Sequence, residues 1–310
     1  MTDLRTSLHG LWLPLITPFR HGELDETSLR RMVRHYTALA VNGMILAATT
    51  GESLTLTPLE TERLVFTVRD EAGKTRNLPL LLGLCGSNTR ALLDMLDRTA
   101  AWGIDGYLIS CPYYSRPSQQ GMRLHFEALA DRARHPVLLY NIPYRTGVNL
   151  GNEAMLRLAA HRNIAGLKDC SGDRNQSLDL LQRRPENFAV LTGEDAQYHE
   201  ALVDGADGGI LASAHFETET FARVRTLLLT GECDAALSCW RSVAELTRLL
   251  FAEPSPAPIK YLLWRTGLID SAELRLPMTE VSGGLAGRLD LEIERRAAVP
   301  IADQARDRPA

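Results

Sequence analysis

The stretch Ile164-Ala165-Gly166-Leu167-Lys168 decides how this chain is read. Its first four residues are apolar, too short and too uniform for an amphipathic helix. They suit a strand buried on both faces, and the run closes on a lysine. Working outward, similar runs recur at Trp12–Ile16, Met44–Ala48, Leu78–Leu82, Gly106–Ser110, Pro136–Tyr140, Phe188–Leu191 and Gly208–Ala212. That makes eight runs, roughly 20 to 35 residues apart, each ending in a polar or Gly-containing loop. Helical patterns lie between them, among them Leu29–Leu39, Glu60–Glu71, Ala91–Trp102, Met122–Ala133 and Asn175–Leu181. Eight strand–helix alternations predict an α/β fold, a (β/α)8 TIM barrel. An open, doubly wound sheet would want a Gly-rich loop after its first strand. The residues there are Ile16-Thr17-Pro18-Phe19, without glycine.

The size agrees. The chain has 310 residues, and α/β barrels run to about 250 as one unit. After about residue 230 the strand pattern stops. Glu232–Leu250 and Ile259–Thr266 look helical, separated by the Pro-rich break Glu253–Pro258. The expected organisation is a barrel over 1–231 and a C-terminal helical subdomain over 232–310, with a frayed polar tail at Ile301–Ala310.

Composition narrows the function. Thirty-four basic against 38 acidic residues give a net charge of −4, which argues against a nucleic-acid or anionic-membrane partner. Met1–Gly10 has no apolar core of a signal peptide, and no stretch approaches the roughly 18 apolar residues of a spanning helix. Five irregularly spaced cysteines read as reduced thiols, so a soluble cytoplasmic protein is expected. The eight histidines show no metal-ligand spacing, and His125 and His135 read as helical and surface-bound. Gly205–Gly209 reads as a tight turn into the eighth strand rather than a phosphate loop. Lysine occurs only at 74, 168 and 260, so lysine chemistry has three candidates. Lys74 sits in a polar turn, and Lys260 starts a helix and reads as structural.

In a barrel the active site lies at the C-terminal ends of the strands. The residues there are Thr49-Thr50-Gly51-Glu52 after the second run, Cys111-Pro112-Tyr113-Tyr114 after the fourth, Tyr140-Asn141 and then Arg145-Thr146-Gly147 after the fifth, Lys168-Asp169 at the sixth and Gly193-Glu194-Asp195 after the seventh. A neutral amine in such a place attacks a ketone to form a Schiff base, which a guanidinium cannot do. The competing reading of Lys168 is a strand-end lysine paired with Asp169. Tyr140, Tyr114 and Thr49 could relay protons, or the tyrosines could cap the core. Arg145 could clamp a carboxylate bidentately or serve a surface salt bridge. Thr50 and Gly51 offer a hydroxyl and a backbone N–H suited to a small carboxylate.

Four motifs occur in order: Thr49-Thr50-Gly51-Glu52-Ser53, Pro112–Gln119 (Pro-Tyr-Tyr-Ser-Arg-Pro-Ser-Gln), Tyr140–Gly147 (Tyr-Asn-Ile-Pro-Tyr-Arg-Thr-Gly) and Gly166–Gly172 (Gly-Leu-Lys-Asp-Cys-Ser-Gly). With them, from about Gly10 to about Gly267, the chain resembles the dihydrodipicolinate synthase/N-acetylneuraminate lyase family of Schiff-base barrels. The resemblance implies that Lys168 condenses with the ketone of pyruvate. It makes Tyr140, Thr49 and Tyr114 the proton relay, with Tyr114 reaching into a neighbouring subunit's site. It assigns the pyruvate carboxylate to Thr50 and the second substrate's carboxylate to Arg145, and it lines the pocket with backbone groups of Gly193 and Ile210. It also implies a homotetramer built as a dimer of dimers, needing neither metal nor organic cofactor. Arg-Thr-Gly at 145–147 is similar to the synthase branch, whose aldehyde partner is L-aspartate 4-semialdehyde and whose product is 4-hydroxy-tetrahydrodipicolinate; sialic-acid lyases carry an uncharged sequence there.

Ala48, Tyr144 and His215 depart from the family pattern. Ala48 stands in place of a glycine, Tyr144 in place of a smaller residue, and His215 in place of an asparagine. Leu54, Pro58, Thr61, Ser87 and Ala91 would line the lysine effector site of inhibited synthases, and they lack groups that grip a diamino acid. Weak or absent inhibition by L-lysine is therefore expected. Two other functions share parts of the pattern. A pyruvate-dependent aldolase or dehydratase acting on another 2-oxo acid or sugar acid would use Lys168 and Tyr140 without needing Arg145. A non-catalytic keto-acid-binding paralogue would carry a degraded site, and here every motif residue is in place.

Overall fold

The computed structural model describes residues 4–297. Eight parallel strands form a closed barrel: β1 (Gly10–Pro14), β2 (Gly43–Leu46), β3 (Leu80–Leu84), β4 (Gly106–Ser110), β5 (Val137–Asn141), β6 (Ile164–Asp169), β7 (Ala189–Thr192) and β8 (Gly208–Ile210). Each pairs with its neighbour in the chain, and β8 closes onto β1 with Gly208 opposite Gly10. Each strand residue is buried, which is why the strands read as continuous apolar runs rather than alternating ones. The runs and the strands coincide to within two residues at either end.

Eight helices cover the barrel: α1 (Glu26–Thr37), α2 (Pro58–Gly73), α3 (Thr89–Thr99), α4 (Gln119–Arg132), α5 (Asn152–Ala159), α6 (Arg174–Arg183), α7 (Tyr198–Val203) and α8 (Thr218–Leu229). Several start on a side chain that accepts from an otherwise unpaired N–H: Asp25 from Ser28, Asn88 from Ala91, Ser118 from Gly121, and Asp173 from Asn175 and Gln176. Thr57 and Glu60 cap α2 reciprocally, with Pro58 in its first turn.

Two apolar layers result. The outer one lies between strands and helices and includes Leu46, Leu82, Leu139 and Leu167. The inner one fills the barrel and includes Trp12, Ile45, Leu81, Leu108, Leu138, Tyr140 and Ile210. Trp12 needs Gly43 beside it, since any Cβ at 43 would overlap the indole ring. The ladder between β5 and β6 carries one irregularity: Val137 lies opposite Ile164, but Leu138 lies opposite Gly166. Ala165 is therefore an extra residue in β6, a bulge. Past it, Tyr140 pairs with Lys168 and Asn141 with Asp169.

After α8 come α9 (Cys233–Leu250), α10 (Ala257–Arg265) and α11 (Gly283–Ala297). α9 packs on α8 and α7, where Tyr198, Phe221 and Trp240 form an edge-to-face cluster. The expected boundary at 231/232 falls between α8 and α9, and the tail expected to fray, Ile301–Ala310, lies outside the described residues. No helix among the described residues is long and apolar enough to cross a membrane.

Two histidines differ from the sequence reading. His125 is on α4 but buried, with Nδ1 2.8 Å from Thr89 Oγ1. Its neighbour Phe126 packs edge-on against it, and burial lowers its pKa to about 4. His135 lies in the loop after α4, half-buried, with Nε2 2.9 Å from the Ala100 carbonyl. α4 turns His125 toward Thr89 on α3, a tertiary contact that its place in the sequence does not mark. Gly205–Gly209 is a turn into β8, anchored by Asp207, whose carboxylate accepts the Val190 N–H and pairs with Arg184.

Candidate active site

Lys168 stands near the C-terminal end of β6 and is only 6% exposed. Its Nζ lies 4.4 Å from the centroid of the Tyr140 ring on β5. It makes no ion pair with any described carboxylate. Asp169 faces the other way: one oxygen accepts the Ser171 N–H at 2.9 Å and the other the Ser177 hydroxyl at 2.5 Å. The pairing of Lys168 with Asp169 is thus not formed, as expected for consecutive strand residues, which point to opposite faces. Gly193, just past β7, completes the packing, since a Cβ there would overlap both Lys168 Cε and Cys170 Sγ. Burial pushes the Tyr140 phenol well above its ordinary range, so it carries its proton at neutral pH. Burial does the same to the Cys170 thiol, which reads as a packing group rather than a nucleophile.

Beside this pair opens a cavity of about 320 Å³. Thr49, Tyr140 and Arg145 all line it. Thr49 is exposed at its mouth, whereas Thr50 is buried behind the wall. The turn that carries them is tightly determined. Ala47 and Glu52 adopt left-handed backbone angles (φ 49° and 52°). The Glu52 N–H donates to the Thr49 carbonyl at 3.1 Å, and the Thr17 hydroxyl to the Gly51 carbonyl at 2.8 Å. Ala48, standing in place of a glycine, does not itself have a positive φ; the left-handed residue is its neighbour Ala47.

Arg145 sits on a single helical turn, Pro143–Thr146, ended by Gly147 at φ 76°. It is exposed, and its guanidinium lies 5.8 Å from the centroid of the Tyr144 ring. Tyr114 is 93% exposed with a left-handed φ of 67°, held by its N–H donating to the Thr146 carbonyl at 3.2 Å. Its neighbour Tyr113 is the one on the cavity wall. Ile210 is buried in the inner barrel layer with Tyr140. The structure therefore brings Thr49, Tyr140 and Arg145 to the wall of one cavity, packs Lys168 against Tyr140 and Gly193, buries Thr50 and Ile210, and leaves Tyr114 exposed.

Sequence reasoning left several wall residues unassigned. Ser110, paired with Tyr140 across β4 and β5, lines the cavity with a buried hydroxyl that lacks a partner. Pro277 and Met278 reach the cavity from far along the chain, with Ser255 and Pro256 beside them. No local signal marks these. Glu194 and Asp195 were visible at a strand end without a role. Asp195 accepts from the Ser213 N–H at 2.6 Å and hydroxyl at 2.5 Å, while burial raises its pKa to about 6. His215 is buried too: its Nε2 accepts the Ile16 N–H at 3.2 Å, its Nδ1 faces the Ala212 carbonyl at 2.8 Å, and burial lowers its pKa to about 4. It bridges the loop after β1 to the loop after β8 as a neutral ring. Among the described residues no group of three or more His, Cys, Asp or Glu is placed to hold a metal ion.

Closed parallel barrel, strand-end lysine and adjoining phenol together define a (β/α)8 protein with a buried lysine at the strand ends. The chain belongs to the Dihydrodipicolinate synthetase family, which matches residues 7–293. It is 41% identical over 283 residues to 4-hydroxy-tetrahydrodipicolinate synthase 2 of Clostridium acetobutylicum, covering 91% of this chain and 98% of that one. It is 36% identical to the 4-hydroxy-tetrahydrodipicolinate synthase of Pseudoalteromonas atlantica, covering 87% and 92%. Among solved structures, the dihydrodipicolinate synthase of Thermotoga maritima superposes with a TM-score of 0.90 at 29% identity, over 93% of this chain and 98% of that one. A monomeric dihydrodipicolinate synthase variant superposes with a TM-score of 0.92 at 28% identity, over 96% and 99%.

Proposed function

We propose that this protein is a Schiff-base lyase that condenses pyruvate with L-aspartate 4-semialdehyde to 4-hydroxy-tetrahydrodipicolinate. The observation that carries the reading is the buried, unpaired amine of Lys168 against the protonated Tyr140 phenol, beside a cavity that also holds Arg145. The names of the relatives supply the product, 4-hydroxy-tetrahydrodipicolinate. In this reading Lys168 attacks the ketone carbon of pyruvate, and water leaves to give the imine. Loss of a methyl proton gives the nucleophilic enamine, which adds to the aldehyde carbon. The amino group of the second substrate then displaces Lys168 and closes the ring. Tyr140 and Thr49 move the protons, Thr50 and the Gly193 and Ile210 backbone seat pyruvate, and Arg145 meets the semialdehyde carboxylate. The amine supplies the covalent chemistry, and no metal or organic cofactor takes part.

Tyr114 enters the relay from a second subunit. Its near-complete exposure in the single chain supports that role, and with it a homotetramer made of two tight dimers. Residues 1–231 supply the catalytic barrel, and 232–310 the helical subdomain that completes the cavity wall. Free thiols at all five cysteines fit a cytoplasmic setting.

The test is the initial rate with both substrates, coupled to a dihydrodipicolinate reductase, together with borohydride trapping of pyruvate. A saturable rate and a reduced-pyruvate mass increase, both lost in Lys168→Ala, are expected. Arg145→Ala should lose about 10²-fold in turnover while still trapping pyruvate. An Arg145→Ala enzyme as active as the parent would instead favour an aldolase or dehydratase of another 2-oxo acid.

A further inference from the structure

The third lysine is buried more completely than the one assigned to catalysis. Lys260, near the start of α10, is 0% exposed and pairs with the equally buried Glu52, Nζ to Oε1 2.5 Å. The same amine donates to the Glu273 carbonyl at 2.8 Å and lies 4.2 Å from the centroid of Phe19. The other Glu52 oxygen accepts the Arg275 N–H at 3.1 Å. The Arg275 guanidinium in turn donates to the Thr55 carbonyl at 3.0 Å and to Glu60, and stacks 4.3 Å from the centroid of Phe19.

Glu52 closes the turn that carries Thr49 and Thr50, and it does so in a left-handed conformation that a residue with a Cβ adopts at a cost. Such a conformation persists when surrounding contacts over-determine it, and here every contact of the Glu52 carboxylate comes from the C-terminal segment. That segment also supplies Ser255, Pro256, Pro277 and Met278 to the cavity wall. A buried ion pair is weak evidence of stability, because a matched apolar pair often does as well. What the charges add is a fixed geometry, since one carboxylate oxygen is paired with the Lys260 ammonium while the other accepts the Arg275 N–H.

We propose that Lys260 and Glu52 are positioning residues: the C-terminal segment holds the Thr49–Gly51 turn in its pyruvate-binding geometry through this buried pair. The inference rests on the reading of Thr50 and Thr49 given above. Lys260 does not line the cavity, and Glu52 lines it with its carboxylate turned to Lys260 and the Arg275 N–H.

The test compares wild type, Lys260→Arg, Glu52→Gln and the double variant Glu52→Gln/Lys260→Met, which removes both charges and leaves neither stranded. Each is assayed for steady-state turnover, thermal midpoint and borohydride trapping of pyruvate. The folded double variant should show a KM for pyruvate raised about 10-fold, with kcat at saturation within about 3-fold of wild type. Lys260→Arg, which keeps the charge, should recover part of that KM. A folded double variant with wild-type KM overturns the proposal, as does a loss confined to kcat that follows the folded fraction. Should the double variant fail to fold, Glu52→Gln alone decides by the same KM criterion. A wild-type protein that traps no pyruvate overturns the Schiff-base reading and this one with it; trapping with unchanged KM overturns this one alone.

Discussion

Lys168 and Lys260 are both buried, and their surroundings are opposites. Lys260 is matched on every side: a carboxylate, a carbonyl and an aromatic face. Burial still lowers its pKa to about 8, with Glu52 pulling the other way. Lys168 has an aromatic ring, a glycine that makes room for it and an adjoining cavity, but no described counter-ion. The difference teaches how to sort buried lysines. A fully satisfied amine holds structure together, whereas an amine without a partner at a strand end is available to a ligand.

That contrast breaks most visibly by removing the unmatched amine. Lys168→Ala should abolish pyruvate trapping and cut turnover by about 10³-fold or more, while the thermal midpoint moves by no more than about 3 °C. Equal losses of fold and activity in this variant would erase the distinction. Gly193→Ala is the next largest. The added methyl must displace Lys168 or Cys170, so kcat should fall about 10²-fold and stability by about 1–3 kcal/mol, measured by rates and by denaturant midpoint.

Lys260→Met probes the other side. It strands a buried carboxylate, so denaturant unfolding should show a loss of about 3–5 kcal/mol, most of it recovered when Glu52→Gln is added. The smallest effect belongs to neither lysine and calibrates these stability measurements. His125 and His215 are held down to about 4 by burial, below the ordinary value of 6.5. The unfolded chain therefore binds more protons, so stability is full above pH 6.5 and drains away as pH falls from 6.5 toward 4. His215→Asn should flatten that slope by about 1–3 kcal/mol between pH 7 and 4.5.

The fold was legible because each barrel strand is buried on both faces and so announces itself as an uninterrupted apolar run. Strand ends shifted by a residue or two because the hydrogen-bond ladder, not hydropathy, sets them: Leu78 is apolar and buried, yet the ladder of β3 begins at Leu80. Lys168, Tyr140, Thr49 and Arg145 were legible because each lies within a few residues of a strand end. Glu52 was read as part of a motif, but its partner Lys260 was not, since only tertiary folding brings α10 against that turn. Met278 and Ser110 were invisible for related reasons. One comes from a distant segment, and the other looks like an ordinary strand residue until its hydroxyl is seen without a partner. His125 misled because only tertiary packing brings Thr89 on α3 against its ring.

The bulge at Ala165 has a consequence for how this site can change. Side chains alternate along a strand, so one extra residue inverts inside and outside for everything after it. Ala165 and Gly166 both face inward, and Lys168 faces the barrel interior because of that miscount. Inserting one residue between Ile164 and Leu167 without a second bulge would leave the lysine in the sequence and aim it into the helix layer, whereas deleting one there would remove the bulge and keep Lys168 opposite Tyr140. Activity is thus conditional on the parity of a strand. An uncompensated insertion in β6 would act as an on–off digit, whereas substitutions act by degrees.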